Sequence, residues 1–203
     1  MKLLVIRHGQ SEADILNVME GRADFSLTPL GIAQAKQMAN WVADNYDIDK
    51  IYSSTLKRAK QTAETLSNRT STSITFDEDL MEWQNGLVAG MPRAEAIATY
   101  PQPEKKHPHT AMYNQESDIQ FRMRAETALS KIINENPAGQ TIAIVSHNGL
   151  IMRLFHSFIG APITSNVHIG RTGDTGIHEW RITGDRREII HVNLQHHLAC
   201  MPQ

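Results

Sequence analysis

Three short apolar runs, Lys2–Arg7, Lys50–Ser53 and Thr141–Ser146, each stop abruptly, and each leads into a stretch of helical periodicity. Four to six residues suit a buried strand and are too few for a buried helix. Strands that alternate with helices pair in parallel, because each helix carries the chain back across the sheet. The helical signals are local and chemical. Thr28-Pro29 supplies an N-cap followed by a proline whose missing N–H costs nothing there, and Ile32, Ala35, Met38, Ala39 and Val42 follow on one face. Thr55–Ser67 places Leu56, Ala59, Ala63 and Leu66 on one face, and Ser117-Asp118-Ile119-Gln120 is a capping box opening a helix to about Glu135. A further helix is expected over Gly149–Ile159, stopped by Gly160-Ala161-Pro162. Ser73–Asp77 alternates like a third strand, and Thr175–Ile182 with Glu188–Asn193 flank a turn and read as a hairpin. The fold class is therefore α/β, a three-layer sandwich with a mostly parallel central sheet flanked by helices.

Residues 1–203 are expected to form a single domain with one excursion at about 92–116, where Pro92, Pro101, Pro103 and Pro108 gather half of the chain's eight prolines. Lys and Arg number 20 against 22 Asp and Glu, which excludes nucleic-acid or membrane-surface binding through global charge but leaves room for a local anion site. The single cysteine, Cys200, forms neither an internal disulfide nor a thiolate cage. The opening apolar run ends at Arg7, too early for a signal peptide, and no run approaches the roughly 18–20 residues of a membrane span. The expectation is a soluble, cytoplasmic protein, with a homodimer among the open oligomeric states.

In a parallel sheet, ligands sit outside the carboxyl ends of the strands. Arg7-His8-Gly9 lies at one such end and Ser146-His147-Asn148-Gly149 at another, so His8 and His147 can share a crevice although far apart in sequence. A glycine close behind each histidine permits a sharp turn and close approach of a ligand. Arg58 falls in the first turn of its helix, where unpaired N–H groups favour anions. Two guanidinium forks and two imidazoles at one rim suit a phosphoryl group, with histidine as a nucleophile toward phosphorus.

Those residues stand in a longer ordered pattern. Arg7-His8-Gly9-Gln10-Ser11, the run from Gly21 through Thr28-Pro29-Leu30-Gly31, and Tyr52-Ser53-Ser54-Thr55-Leu56-Lys57-Arg58-Ala59 come first. Leu80-Met81-Glu82 with Gly86 and Gly90 follows, then Val145-Ser146-His147-Asn148-Gly149, then Asn193 with His197-Leu198. Taken together, residues 2–198 resemble the histidine phosphatase, or phosphoglycerate-mutase-like, superfamily in its Arg-His-Gly branch. The resemblance implies a metal-independent phosphatase acting on small phosphorylated metabolites, with no cofactor. It makes His8 a nucleophile that becomes phosphohistidine, its other ring nitrogen donating to a backbone carbonyl that fixes the tautomer. Arg7, Arg58 and a cationic His147 would hold the phosphoryl oxygens, joined at the phosphate site by Asn17, Asn148 and Gly149. Glu82 resembles the acid that protonates the leaving oxygen and then activates water.

The chain also departs from that family. Asp14 stands where an Asn is usual, and a carboxylate there must be turned away, protonated or paired with a cation, with Asn17 as the available replacement. Val88-Ala89-Gly90 replaces Trp-Glu-Gly behind Glu82, and Asp174-Thr175 replaces an Asn-Thr/Ser pair. Two alternatives follow: a cofactor-dependent phosphoglycerate mutase, whose basic pair would have to be Lys105-Lys106, and a non-catalytic phospho-ligand binder of the same fold. His107-Pro108-His109 lacks companions for a metal and reads as a solvated loop, and His197 as a structural hydrogen-bond partner. Trp83 is close enough to Glu82 to line its pocket.

Overall fold

In a computed structural model that describes residues 1–199, six strands form one sheet. Cys200, expected to form neither a disulfide nor a thiolate cage, lies outside the described residues. Along the chain the elements are β1 (Lys2–Arg7), α1 (Glu12–Leu16), α2 (Pro29–Asn45), β2 (Lys50–Ser53), α3 (Lys57–Thr70), β3 (Ile74–Phe76), α4 (Arg93–Thr99), α5 (Asp118–Glu135), β4 (Thr141–Ser146), α6 (Asn148–Phe158), β5 (Ile177–Thr183) and β6 (Arg186–Leu194). The strand order is β3-β2-β4-β1-β5-β6. β3, β2, β4 and β1 pair in parallel, whereas β5 and β6 add an antiparallel edge, as a two-residue hairpin turn requires.

Each face of the sheet buries its own cluster. Leu4, Ile6, Ile51 and Val145 pack with Met38, Ala39, Ala59 and Ala63 of α2 and α3. Leu3, Val5, Ile142 and Ile144 pack with Ala125, Leu129, Ile151 and Leu154 of α5 and α6. Alternate strand residues go to opposite faces, so a strand apolar at every position is one covered on both sides.

The N-cap of α2 is formed as its sequence suggests, with Gly31 N donating to Thr28 Oγ1 at 2.9 Å, and Ser117 caps α5 with Gln120 reaching back to its N–H. One residue was placed on the wrong face. Ile32 is exposed, and Gly31 and Gln34 take its place on the buried side of α2. The excursion holds only the seven-residue α4 before α5 begins. Its base is tied to the core, because Met19 N donates to Met91 O at 2.8 Å and Gly90 N to Met19 O at 2.8 Å. Among the described residues, no helix is long and apolar enough to cross a membrane.

Candidate active site

β1, β2 and β4 end level with one another, and that alignment builds the site. Arg7 lies opposite Ser146 in the β1–β4 register, His8 N donates to Ser146 O at 3.0 Å, and Ser54 N donates to Val145 O at 3.0 Å. The residues just past those ends, His8, Ser54 and His147, therefore meet in one buried crevice, with the His8 and His147 rings 5.0 Å apart between centroids. Arg58 arrives from the first turn of α3 and is fully buried.

His8 Nδ1 donates to Gly9 O at 2.7 Å, so Nε2 is the bare nitrogen. Arg58 Nε faces it at 3.2 Å, and Arg58 Nη1 and Nη2 are held by Ala23 O at 2.9 Å and Gly21 O at 2.7 Å. Burial lowers the His8 pKa well below the ordinary value, with the Arg58 and Arg7 charges adding to it and the Gly9 bond opposing it. His8 is therefore neutral at physiological pH.

The cationic His147 that the resemblance implies belongs to a site holding phosphate, and the protein's own groups disfavour it. Burial, then Arg58, His8 and Arg7, hold its pKa well below the ordinary value, so the ring is neutral. Its Nε2 meets Ser54 Oγ at 2.8 Å, and its Nδ1 is buried without a partner. Arg7 Nε is likewise buried and unpartnered, whereas Arg7 Nη1 serves Thr172 O at 3.0 Å and Asp174 at 2.9 Å. Two buried polar nitrogens with nothing to bond to are costly unless a ligand completes them.

Glu82 is fixed by two backbone donors, Trp83 N to Oε1 at 2.8 Å and Gly149 N to Oε2 at 2.9 Å. Gly149 belongs to the first turn of α6, so the carboxylate caps a helix N-terminus. This revises the part assigned to Gly149: its N–H serves Glu82, not a phosphate. Its lack of a side chain also serves Glu82, since a Cβ there would fall 2.4 Å from Glu82 Oε1. Gly9 is small for a different reason, because a Cβ would fall 2.5 Å from the backbone oxygen of Gly31. The Glu82 loop is set by Arg124 of α5, whose guanidinium bonds Met81 O at 2.7 Å, Asp79 O at 2.9 Å and Glu82 O at 3.1 Å. Nothing in the linear pattern marked Arg124, because an arginine on an amphipathic helix looks like a solvated one.

The departures at positions 14 and 174 are absorbed by the structure. Asp14 turns back to accept from Ser11 N at 2.9 Å and lies 3.8 Å from Arg7, and Asp174 pairs with Arg7. Burial raises the Asp174 pKa, and the Arg7 charge opposes it. Glu20, which the sequence did not single out, lies 3.2 Å from Arg58 Nε and accepts from Ser11 Oγ at 2.5 Å. Burial pushes its pKa up against the Arg58 charge. A polar cavity of ≈540 Å³ opens over these groups, with Arg7, Asp14, Asn17, Glu20, Arg93 and Arg171 in its wall. Asn17 sits there as the left-handed residue (φ 51°) ending α1, and Asn148 Oδ1 is used to accept from Thr172 N at 2.9 Å. Trp83 donates its indole N–H to Glu116 O at 2.9 Å and lines a separate apolar cavity of ≈330 Å³ with Val88, Met19 and Ile97. His107 and His109 are exposed and stack on each other, and among the described residues no three His, Cys, Asp or Glu side chains are grouped to hold a metal. His197 Nε2 bonds Thr175 Oγ1 at 2.9 Å, behind the site.

A strand-end histidine with a bare nitrogen, flanked by arginines, a second histidine and a capped glutamate, defines a phosphoryl-handling class of site. The histidine phosphatase superfamily (branch 1) matches residues 3–195, and the chain belongs to it, in the class of phosphoric monoester hydrolases. A protein of Hydrogenobacter thermophilus provisionally named phosphoserine phosphatase 2 is 29% identical over 201 residues, 95% of each chain. Glucosyl-3-phosphoglycerate phosphatase of Mycolicibacterium vanbaalenii is 27% identical, over 85% of this chain and 80% of its own. Among solved structures, the α-ribazole phosphatase of Shigella flexneri superposes with a TM-score of 0.83 at 24% identity, covering 96% of this chain and 97% of that one, which shows a shared fold.

Proposed function

We propose that the chain hydrolyses small phosphomonoesters without a metal, through a phosphohistidine on His8. One observation carries this reading: the His8 Nδ1–Gly9 O bond of 2.7 Å, which leaves Nε2 of a neutral ring unprotonated, its lone pair facing Arg58 Nε at 3.2 Å. In the first step the Nε2 lone pair attacks phosphorus, the P–O bond to the alcohol breaks, and Glu82 gives its proton to the departing oxygen. In the second, Glu82 takes a proton from water, the hydroxide attacks phosphorus, and the P–N bond breaks to release phosphate. Each Glu82 oxygen accepts one backbone N–H and keeps a further lone pair for that proton.

The remaining groups neutralise charge on the transferred phosphoryl. Arg58 Nε, which donates to His8 Nε2 itself, can pass its hydrogen to an arriving phosphoryl oxygen, and Arg7 Nε is a buried donor without a protein partner. Ser54 Oγ already accepts from Leu56 N at 3.3 Å, so its own proton is available to His147 Nε2. With that proton donated to Nε2, the His147 hydrogen falls on the unpartnered Nδ1, available to a phosphoryl oxygen, and an arriving dianion favours a second proton on the ring. The capped Asp14 and the paired Asp174 support catalysis over the non-catalytic reading those two residues had suggested. Names of the relatives support small phosphorylated substrates, and their reaction is hydrolysis. The test is hydrolysis of p-nitrophenyl phosphate by wild type, EDTA-treated wild type and His8→Ala. Undiminished turnover after EDTA and none in the variant are expected; activity restored only by added metal, or retained by His8→Ala, contradicts the proposal.

A further inference from the structure

We infer that Arg171, with Arg93, forms a second anion-binding subsite, so that the preferred phosphomonoester carries another anionic group, carboxylate or phosphate, on its alcohol portion. The inference rests on the phosphatase reading above and adds to it the class of alcohol.

Arg171 occupies a junction. It lines the polar cavity of ≈540 Å³ over Arg7, and it also lines an adjoining cavity of ≈520 Å³ bordered by Asn148 and Gly149. Gly149 holds the Glu82 carboxylate, so the second cavity opens beside the proton donor, where the leaving alcohol must emerge. Arg93 lies across the first cavity, anchored at the start of α4 by its backbone N–H to Asn17 O at 3.2 Å.

The charge distribution separates these two arginines from the catalytic pair. Arg7 and Arg58 are matched close by with Asp174, Asp14 and Glu20. Among the described residues, neither the Arg93 nor the Arg171 guanidinium has a carboxylate within 4 Å or donates a hydrogen bond. Positive charge with no direct ion-pair partner thus lines the cavity beside the phosphoryl centre, Arg171 acting on Asp174 only at longer range, and guanidinium forks match planar or tetrahedral oxyanions. A monoester with a neutral tail leaves both forks in water; one with an anionic tail reaches them while its phosphoryl group stays at His8. The carboxylates of Asp14 and Glu20, also in the wall of that cavity, disfavour the same tail beside them, so the subsite also sets the orientation.

The test compares kcat/KM for glycerol 3-phosphate, 3-phosphoglycerate and propane-1,3-diyl bisphosphate, which differ in having no second anion, a carboxylate or a second phosphate. Wild type is expected to favour at least one anionic-tailed ester over glycerol 3-phosphate by about tenfold or more, mainly through KM. The ester preferred identifies the anion. Arg171→Ala should bring the ratio close to one, Arg171→Lys should return part of it, and Arg93→Ala should reduce it less. Equal kcat/KM for the three esters in wild type, or a preference that survives Arg171→Ala combined with Arg93→Ala, overturns the subsite. p-Nitrophenyl phosphate keeps the two readings apart. Its turnover without any tail preference overturns the subsite alone, and no turnover of any ester overturns both.

Discussion

Arg58 touches His8, Glu20 and two backbone carbonyls at once, so its removal takes away a phosphoryl donor and a structural brace. Arg58→Ala should lose about 2–4 kcal/mol of transition-state stabilisation in kcat/KM, with Arg58→Lys restoring only part because a point charge cannot reproduce the fork. Full activity in the alanine variant would remove Arg58 from the site. Glu82→Gln separates the two half-reactions. With p-nitrophenyl phosphate the leaving group departs without a proton, so phosphorylation survives and release of phosphate slows. With an alkyl phosphate, phosphorylation itself should fall by the order of 10²–10⁴ typical of acid–base catalysis. Equal losses on both esters would assign the proton to another carboxylate, Asp14 or Glu20. At this scale the sequence revealed residues whose neighbours in the chain share their task, such as Arg7-His8-Gly9. It did not reveal Glu20 or Arg171, which matter only because the fold brings distant loops to one cavity.

The first turn of α6 and the loop carrying Glu82 act as one unit, and the two glycines of the site test this in opposite ways. Gly149→Ala keeps the N–H and suits a helix, but its Cβ meets the end of the Glu82 side chain. The acid moves and the fold remains. Melting temperature should hold, while kcat on alkyl phosphates drops by about 10²-fold, more than on p-nitrophenyl phosphate. At Gly9 the obstacle is the backbone of α2, which cannot swing aside, so Gly9→Ala should destabilise the protein by about 1–3 kcal/mol in denaturant unfolding. A stable Gly9→Ala, or a Gly149→Ala that treats both esters alike, would contradict this division. Most elements were legible because their ends carry chemistry: Thr28-Pro29, the Ser117 capping box and the Gly184-Asp185 turn. α1 was missed because five residues exposing Ile15 and Leu16 have no periodicity to read, and Ile32 was misplaced because the buried stripe of α2 passes through Gly31 and Gln34.

Over the whole molecule, buried and half-buried histidines couple stability to pH. Burial holds His178, bonded to Thr172 Oγ1, at about 4, and burial with the nearby His196 charge holds His197 at about 4. Both lie below the unfolded value, so the unfolded chain binds more protons between roughly pH 6.5 and 4. Stability is therefore fully present above about pH 6.5 and declines as pH falls, by up to about 1.4 kcal/mol per pH unit for the buried His178 and by less for the half-buried, solvent-screened His197. Melting temperatures from pH 7.5 to 5 should fall, and His178→Gln should flatten the slope; a constant melting temperature would contradict the neutral burial of these rings. Burial of this kind is invisible in a sequence with ten histidines, where His178 looks no different from the exposed His107.

Covalent catalysis by His8 is decided most directly by quenching the enzyme during turnover of a labelled phosphomonoester and locating the label. The account predicts up to one phosphate per chain, acid-labile and alkali-stable, attached to His8, absent in His8→Ala and more abundant in Glu82→Gln with p-nitrophenyl phosphate. Steady turnover with no such species in either wild type or Glu82→Gln, or the same label in His8→Ala, would contradict it.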